Sequence, residues 1–186
     1  MLANNSSGMK NSGIINVNGL NSTGLQVINA GQLNSDGTIN VDGEGISSGF
    51  RNYGAWVEGA RSNANVIRKN QSFRYWCCRV FAKDGGSLTL SGNGAVLFGS
   101  SDQIGFYVYG KDSAIHNTGS GVMDVSTENS TLFRIASGAT FQGTADASSA
   151  LTASGKNSYA LYCHGEIGWR CGLDSNVWRN DHQPDG

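Results

Sequence analysis

Acid–base cleavage of a glycosidic bond needs two carboxylates facing one substrate, about 5 to 10 Å apart. Asp42 and Glu44 are the pair whose spacing comes nearest. They share one side of an extended segment if the strand continues, but Gly43 and Gly45 beside them indicate a corner. There, acids are ordinary solvated turn residues. His164, in Cys163-His164-Gly165-Glu166, has the chemistry of a base or a ligand, but one histidine beside one cysteine falls far short of a site. It reads as an exposed residue at a turn. His116 and His182 have no partner visible in the sequence. The serines lack a G-x-S-x-G elbow, and no lysine follows Gly92 and Gly94 at the spacing of a phosphate loop. Gly37 to Gly45, with Asp36, Asp42 and Glu44, is the nearest approach to a calcium-binding glycine-aspartate nonapeptide, and it does not recur at nine residues. The reading is of no catalytic residue, no cofactor and no metal.

Two groups of residues have binding chemistry. Phe73-Arg74-Tyr75-Trp76-Cys77-Cys78-Arg79-Val80-Phe81 is aromatic and basic together. Strict alternation sends Arg74, Trp76, Cys78 and Val80 to one face and Phe73, Tyr75, Cys77 and Arg79 to the other. Arginine beside tryptophan is the composition of a binding hot spot, so Arg74 and Trp76 are candidates; the plainer alternative is a wide rung whose aromatics fill the interior. Asn16, Asn40 and Asp42 are the second group, a row of outward polar residues. Adjacent Cys77 and Cys78 face opposite sides of a strand and would rarely pair comfortably with each other, whereas Cys163 and Cys171 are close enough to close a small loop, joined or not. No cysteine pair forms C-x-x-C, so no common zinc framework fits.

The elements that must position these residues are repetitive. Gly13-Ile14-Ile15-Asn16-Val17-Asn18-Gly19 returns as Gly37-Thr38-Ile39-Asn40-Val41-Asp42-Gly43, displaced by 24 residues. Within each copy the period is two, with Ile15 and Val17 one way and Asn16 the other, which predicts short half-buried strands. A period in the twenties predicts stacked units. Looser phrases follow at Gly86 to Gly92, Gly105 to Gly110 and Leu132 to Gly143. The fold expected is all-β: a parallel β-helix, a short rod of roughly seven rungs at about 20 to 25 residues each. Residues 1–10 are expected as an irregular edge, 11–167 as the coil, and 168–186 as an irregular tail that leaves the repeat grammar. Ile15, Val17, Ile39 and Val41 are expected in interior ladders, with Asn16 over Asn40 outside.

Composition narrows the function classes. The 186 residues include 27 glycines and one proline, and only 15% are charged, for a net charge of -1. Thirteen basic residues scattered among 14 acidic ones offer no patch to displace counterions from phosphate, so nucleic acid is not an expected partner. No apolar run reaches the roughly 20 residues of a membrane helix, and Met1 to Asn5 lacks the charged start and apolar stretch of an export signal.

The phrases N-S-G-I-I-N-V-N-G at Asn11 to Gly19 and N-S-D-G-T-I-N-V-D-G at Asn34 to Gly43 resemble the passenger regions of bacterial autotransporters, the type V secreted proteins. Ser154 to Tyr162 reads like the opening of a further repeat. The resemblance covers about Asn11 to Ile167. It implies a right-handed parallel β-helix exposed at the cell surface or released, exported by a C-terminal β-barrel that this segment lacks. It implies an adhesin-like structural or binding module with no chemistry of its own, whose partners are host or cell-surface glycans or proteins, or sister rods joined through rung edges. The rival expectation is a glycan-cleaving β-helix enzyme with Asp or Glu acid–base residues. The N-T-D, paired-aspartate and G-H-G set of pectin-cleaving β-helix hydrolases is absent.

Overall fold

A glycine-bounded phrase that repeats at 24 residues can align copy on copy only if its strands run parallel, each coil returning the chain above its own start. In a computed structural model, residues 1–19, 21–41, 52–68, 71–73, 77–93, 96–143 and 149–164 are described, and they form strands and corners with no helix among them. Every strand pairing is parallel. The molecule is a β-solenoid of about five turns. That is fewer than the roughly seven rungs expected, because equivalent positions recur at 25 to 30 residues along this column: Thr23, Tyr53, Cys78, Ile104, Thr131 and Tyr159 stand in one register.

Three faces wrap the interior. The first holds β1 (Leu2–Asn4), β4 (Thr23–Ile28), β7 (Asn52–Glu58), β10 (Cys77–Lys83), β13 (Ile104–Tyr109), β16 (Thr131–Ala136) and β19 (Tyr159–His164), stacked in that order. The second stacks β2 (Met9–Asn11), β5 (Gln32–Ser35), β8 (Asn63–Arg68), β11 (Ser87–Gly92), β14 (Ala114–Asn117) and β17 (Thr140–Gly143). The third holds β3 (Ile14–Val17), β6 (Thr38–Val41), β9 (Gln71–Phe73) and β12 (Val96–Phe98) in one sheet, and β15 (Gly121–Val125) with β18 (Ser149–Ala153) in another. Strands β1 and β2 carry the coil into the first ten residues, where an irregular edge was expected. The tail 168–186 lies outside the described residues.

In-register stacking fills the interior. Leu25, Ala55, Val80, Phe106 and Phe133 form one inward ladder of the first face, with Val27, Val57, Ala82, Val108 and Ile135 beside it, all buried. Each buried Val, Leu or Phe contributes about 1.5–3 kcal/mol of transfer free energy. Small Ala55 and large Phe106 occupy the same column. Phe106 stacks on Phe133 at 5.1 Å, and Phe133 meets Phe141 of the second face at 4.7 Å. On the third face the 24-residue phrase aligns as expected: Ile15 on Ile39, Asn16 on Asn40, Val17 on Val41.

Corners are where parallel pairing fails and backbone donors need other acceptors. Between the first and second faces Asn29, Ala30, Asp84, Asp112 and Ser137 adopt positive φ, the left-handed conformation in which Asn and Asp are enriched. The amide of Ala30 then donates to the Oγ of buried Ser62 (3.1 Å), and that of Gly85 to buried Ser113 (3.0 Å), one coil further on. The entry to the first face repeats the device: Gln103 donates to Ser130 Oγ (3.1 Å) and Ser130 to Ser158 Oγ (3.0 Å). A buried serine is thus a structural requirement of this coil.

Candidate functional site: an aromatic ladder on one face

The first face is built from one recurring phrase: an outward residue, a small or apolar inward residue, a second inward residue, then an outward one. It reads Thr23-Gly24-Leu25-Gln26, Tyr53-Gly54-Ala55-Trp56, Ile104-Gly105-Phe106-Tyr107 and Thr131-Leu132-Phe133-Arg134. Two consecutive inward residues break simple alternation where the chain turns the corner. At Gly24 the backbone leaves no room: a Cβ would lie 2.8 Å from the Gly54 carbonyl oxygen and 2.9 Å from Val17.

That geometry sets the second outward residue of every coil in a single row: Gln26, Trp56, Phe81, Tyr107, Arg134, Tyr162. The rings touch in sequence. Trp56 meets Phe81 edge-on at 4.9 Å, and Phe81 meets Tyr107 at 5.0 Å. The Arg134 guanidinium stands 5.1 Å from the Tyr107 ring and 5.9 Å from that of Tyr162. Tyr53 joins from the side, 4.8 Å from Trp56 and 5.8 Å from Phe81, and Tyr159 lies 5.2 Å from Tyr162. Members of the row are half-buried, while Tyr109 and Tyr159 beside it are exposed.

Polar groups hold the top of the row. Trp56 Nε1 donates to Glu58 Oε2 (2.8 Å), and Lys83 Nζ bridges Glu58 (2.9 Å) and Asp84 (3.1 Å) while lying 5.4 Å from the Trp56 ring. The bonds from Lys83 and Trp56 hold the Glu58 carboxyl below its usual 4.5, and the same contact with Glu58, against some desolvation, keeps the Lys83 ammonium above its usual 10.5. Two carboxylates near an indole are the ingredients of acid–base chemistry, but a general acid at neutral pH needs a raised pKa. Glu58 is moved the other way, by a lysine that neutralises it. At the lower end an open cleft of ≈ 390 Å³ is lined by Asp102, Asn129, Thr131, Arg134, Tyr159 and Tyr162 among others.

The other faces carry different chemistry. On the second, Asn34, Asn65, Thr89, His116 and Gln142 form the outward row, with Asn65 donating to Asn34 (3.3 Å) and Gln142 Oε1 accepting from His116 Nδ1 (2.8 Å). His116, partnerless in the sequence, therefore belongs to a polar ladder. On the third face Asn40 Nδ2 donates to Asn16 Oδ1 (2.8 Å), the exterior ladder expected of that pair. Arg74, Trp76, Asp42 and Glu44 lie outside the described residues, as do the side chains of Cys77, Cys78 and His164. Cys163 is disulfide-bonded. Among the described residues no three of His, Cys, Asp and Glu cluster as metal ligands.

The sequence reading placed binding chemistry at Arg74, Trp76, Asn16, Asn40 and Asp42 and did not single out Trp56, Tyr107, Arg134 and Tyr162. The signal available was the phrase with two inward residues followed by an outward one. No family model, no curated protein and no solved structure matches this chain.

Proposed function

We propose that this chain is a binding module displayed on a cell surface or released from it, with no chemistry of its own, and that its first face grips glycan chains. The observation that carries this reading is that, among the described residues, the outward row of touching aromatic rings lies on one face of three. A sugar ring has apolar C–H surfaces that pack on aromatic groups and a rim of hydroxyls that bond to nearby polar side chains. The first face supplies both, with Gln26, Glu58, Lys83 and Arg134 among its rings. Rungs about 4.8 Å apart let a chain of sugars make many weak contacts at once.

Passenger origin is the export route we favour, supported by the stacking of the 24-residue phrase in exact register on the third face. It entails a β-barrel translocator in the parent protein and external location, so protease added to intact cells should remove the segment.

Affinity electrophoresis through gels containing soluble polysaccharides tests the binding face. Tyr107→Ala should weaken retardation by up to about tenfold, since aromatic contacts contribute roughly 0.5–1.5 kcal/mol. His116→Ala, on the polar second face, should leave it unchanged. Equal retardation of wild type and Tyr107→Ala in every polysaccharide that binds would refute the assignment of the face.

A further inference from the structure

The lower end of the row carries a charged side chain where the three coils before it carry rings. Where β7, β10 and β13 place Trp56, Phe81 and Tyr107, β16 places Arg134. Its guanidinium is held between the rings of Tyr107 and Tyr162, and among the described residues it makes no ion pair. Its Nε is buried without a hydrogen-bond partner, a costly state for a charged donor. It lines the open cleft of ≈ 390 Å³, within the size range of small-ligand sites, about 300–1,000 Å³. Tyr159, 50% exposed, forms one wall, and Asn129 and Thr131 stand alongside. Asp102 is the cleft's acid, exposed, at a corner with φ of 61°.

We propose that this cleft receives the carboxylate of an acidic sugar unit, with Arg134 as its partner and Tyr159 packed on the sugar ring. The proposal rests on the glycan-binding reading of the first face and specifies its ligand. An arginine fork matches a planar carboxylate through two parallel hydrogen bonds, and aromatic neighbours restrain the guanidinium before the ligand arrives. Asn129 and Thr131 supply groups for the ring hydroxyls. Asp102 opposes the ligand's charge and limits affinity.

Titration calorimetry on the whole chain decides the matter, with an oligomer of glucuronic acid, the glucose oligomer of the same linkage and length, and a sulfated form of the latter. The glucuronic acid oligomer should bind about ten- to a hundredfold more tightly than the glucose oligomer, the worth of one charge-assisted pair. The advantage should shrink as salt is added. Arg134→Gln should abolish the preference, so that the glucuronic acid oligomer binds no more tightly than the glucose oligomer of the same length. Asp102→Asn keeps a residue type that accepts positive φ and should strengthen acidic binding alone.

Equal affinity for glucuronic acid and glucose oligomers overturns the carboxylate site while leaving the glycan-binding face standing. Failure of every oligomer to bind overturns both. A sulfated oligomer that binds as tightly as the glucuronic acid one overturns the choice of carboxylate. Should Arg134→Gln not fold, Asp102→Asn carries the test: no gain for the acidic oligomer overturns the proposal.

Discussion

Asp124 collects three hydrogen bonds on one carboxylate: Thr152 Oγ1 at 2.7 Å, Ser154 N at 3.2 Å and Ser154 Oγ at 2.5 Å. Partial burial pushes its pKa up, but the bonds from Ser154 and Thr152 outweigh this, and the carboxyl lies below its usual 3.8. A carboxyl depressed by folding adds stability that is present above the unfolded value and lost as pH falls through the folded one. The exchange protection of the Ser154 amide should therefore drop in acid. Asp124→Asn should lower that protection at neutral pH by at most about 1 kcal/mol, after allowing for solvent screening, and remove its acid dependence. Hydrogen exchange read by NMR checks this; protection that is flat with pH in the wild type would contradict the role given to the clasp. Glu58 obeys the same sign, and Lys83 the opposite one, its contribution being lost as pH rises through its raised value. Their side chains are 37% and 26% exposed, so the pair adds little stability, about 0.2–1 kcal/mol, and its main effect is to fix the Trp56 ring.

At the scale of elements, the two copies of the glycine phrase are not equivalent. A Cβ on Gly37 would lie 2.1 Å from the Gly13 carbonyl oxygen of the coil before, whereas one on Gly13 meets nothing within 4 Å. Gly37→Ala should destabilise by roughly 1–3 kcal/mol, as overpacking does, and Gly13→Ala should stay within about 0.5 kcal/mol of wild type. Urea unfolding of the two variants checks the contrast; equal losses would mean that the coils do not approach so closely. The same pair shows what was legible beforehand. Asn16 and Asn40 sit in seven-residue frames that differ only at Ile14/Thr38 and Asn18/Asp42, so period, register and outward direction could all be read. The first face hid its register because its intervals drift and its inward corner position accepts Gly24, Gly54, Gly105 or Leu132. Its outward row varies most, from Gln26 through Trp56 to Arg134, because the interior does not constrain residue type there. A ladder of unlike side chains leaves no internal repeat to find. Corner serines such as Ser62 and Ser113 look like turn chemistry in the sequence; only the coil above shows which amides they satisfy.

The whole molecule is quasi-one-dimensional, so stability passes from coil to coil and the first coil offers edges that no described strand covers. Strands β1, β2 and β3 stand at the ends of their sheets, with unpaired backbone groups on the outer side. Natural edges are guarded by charge, and the one charged side chain in these three strands, Lys10, is already engaged with Asp36 at 3.4 Å. Ile14 on β3 is 71% exposed and Leu2 on β1 is 50% exposed, which adds apolar surface to the open rung. Rods of this chain should therefore associate through the first coil, and the weight-average mass in sedimentation equilibrium should rise with concentration. Ile14→Lys places a charge at the edge and should shift the distribution toward monomer. Ile67→Lys, at a comparably apolar but paired position on β8, should not. A wild-type monomer over a wide concentration range would show that the first coil protects its own edge. In that case the glycan face would bring rods together only through shared ligand chains.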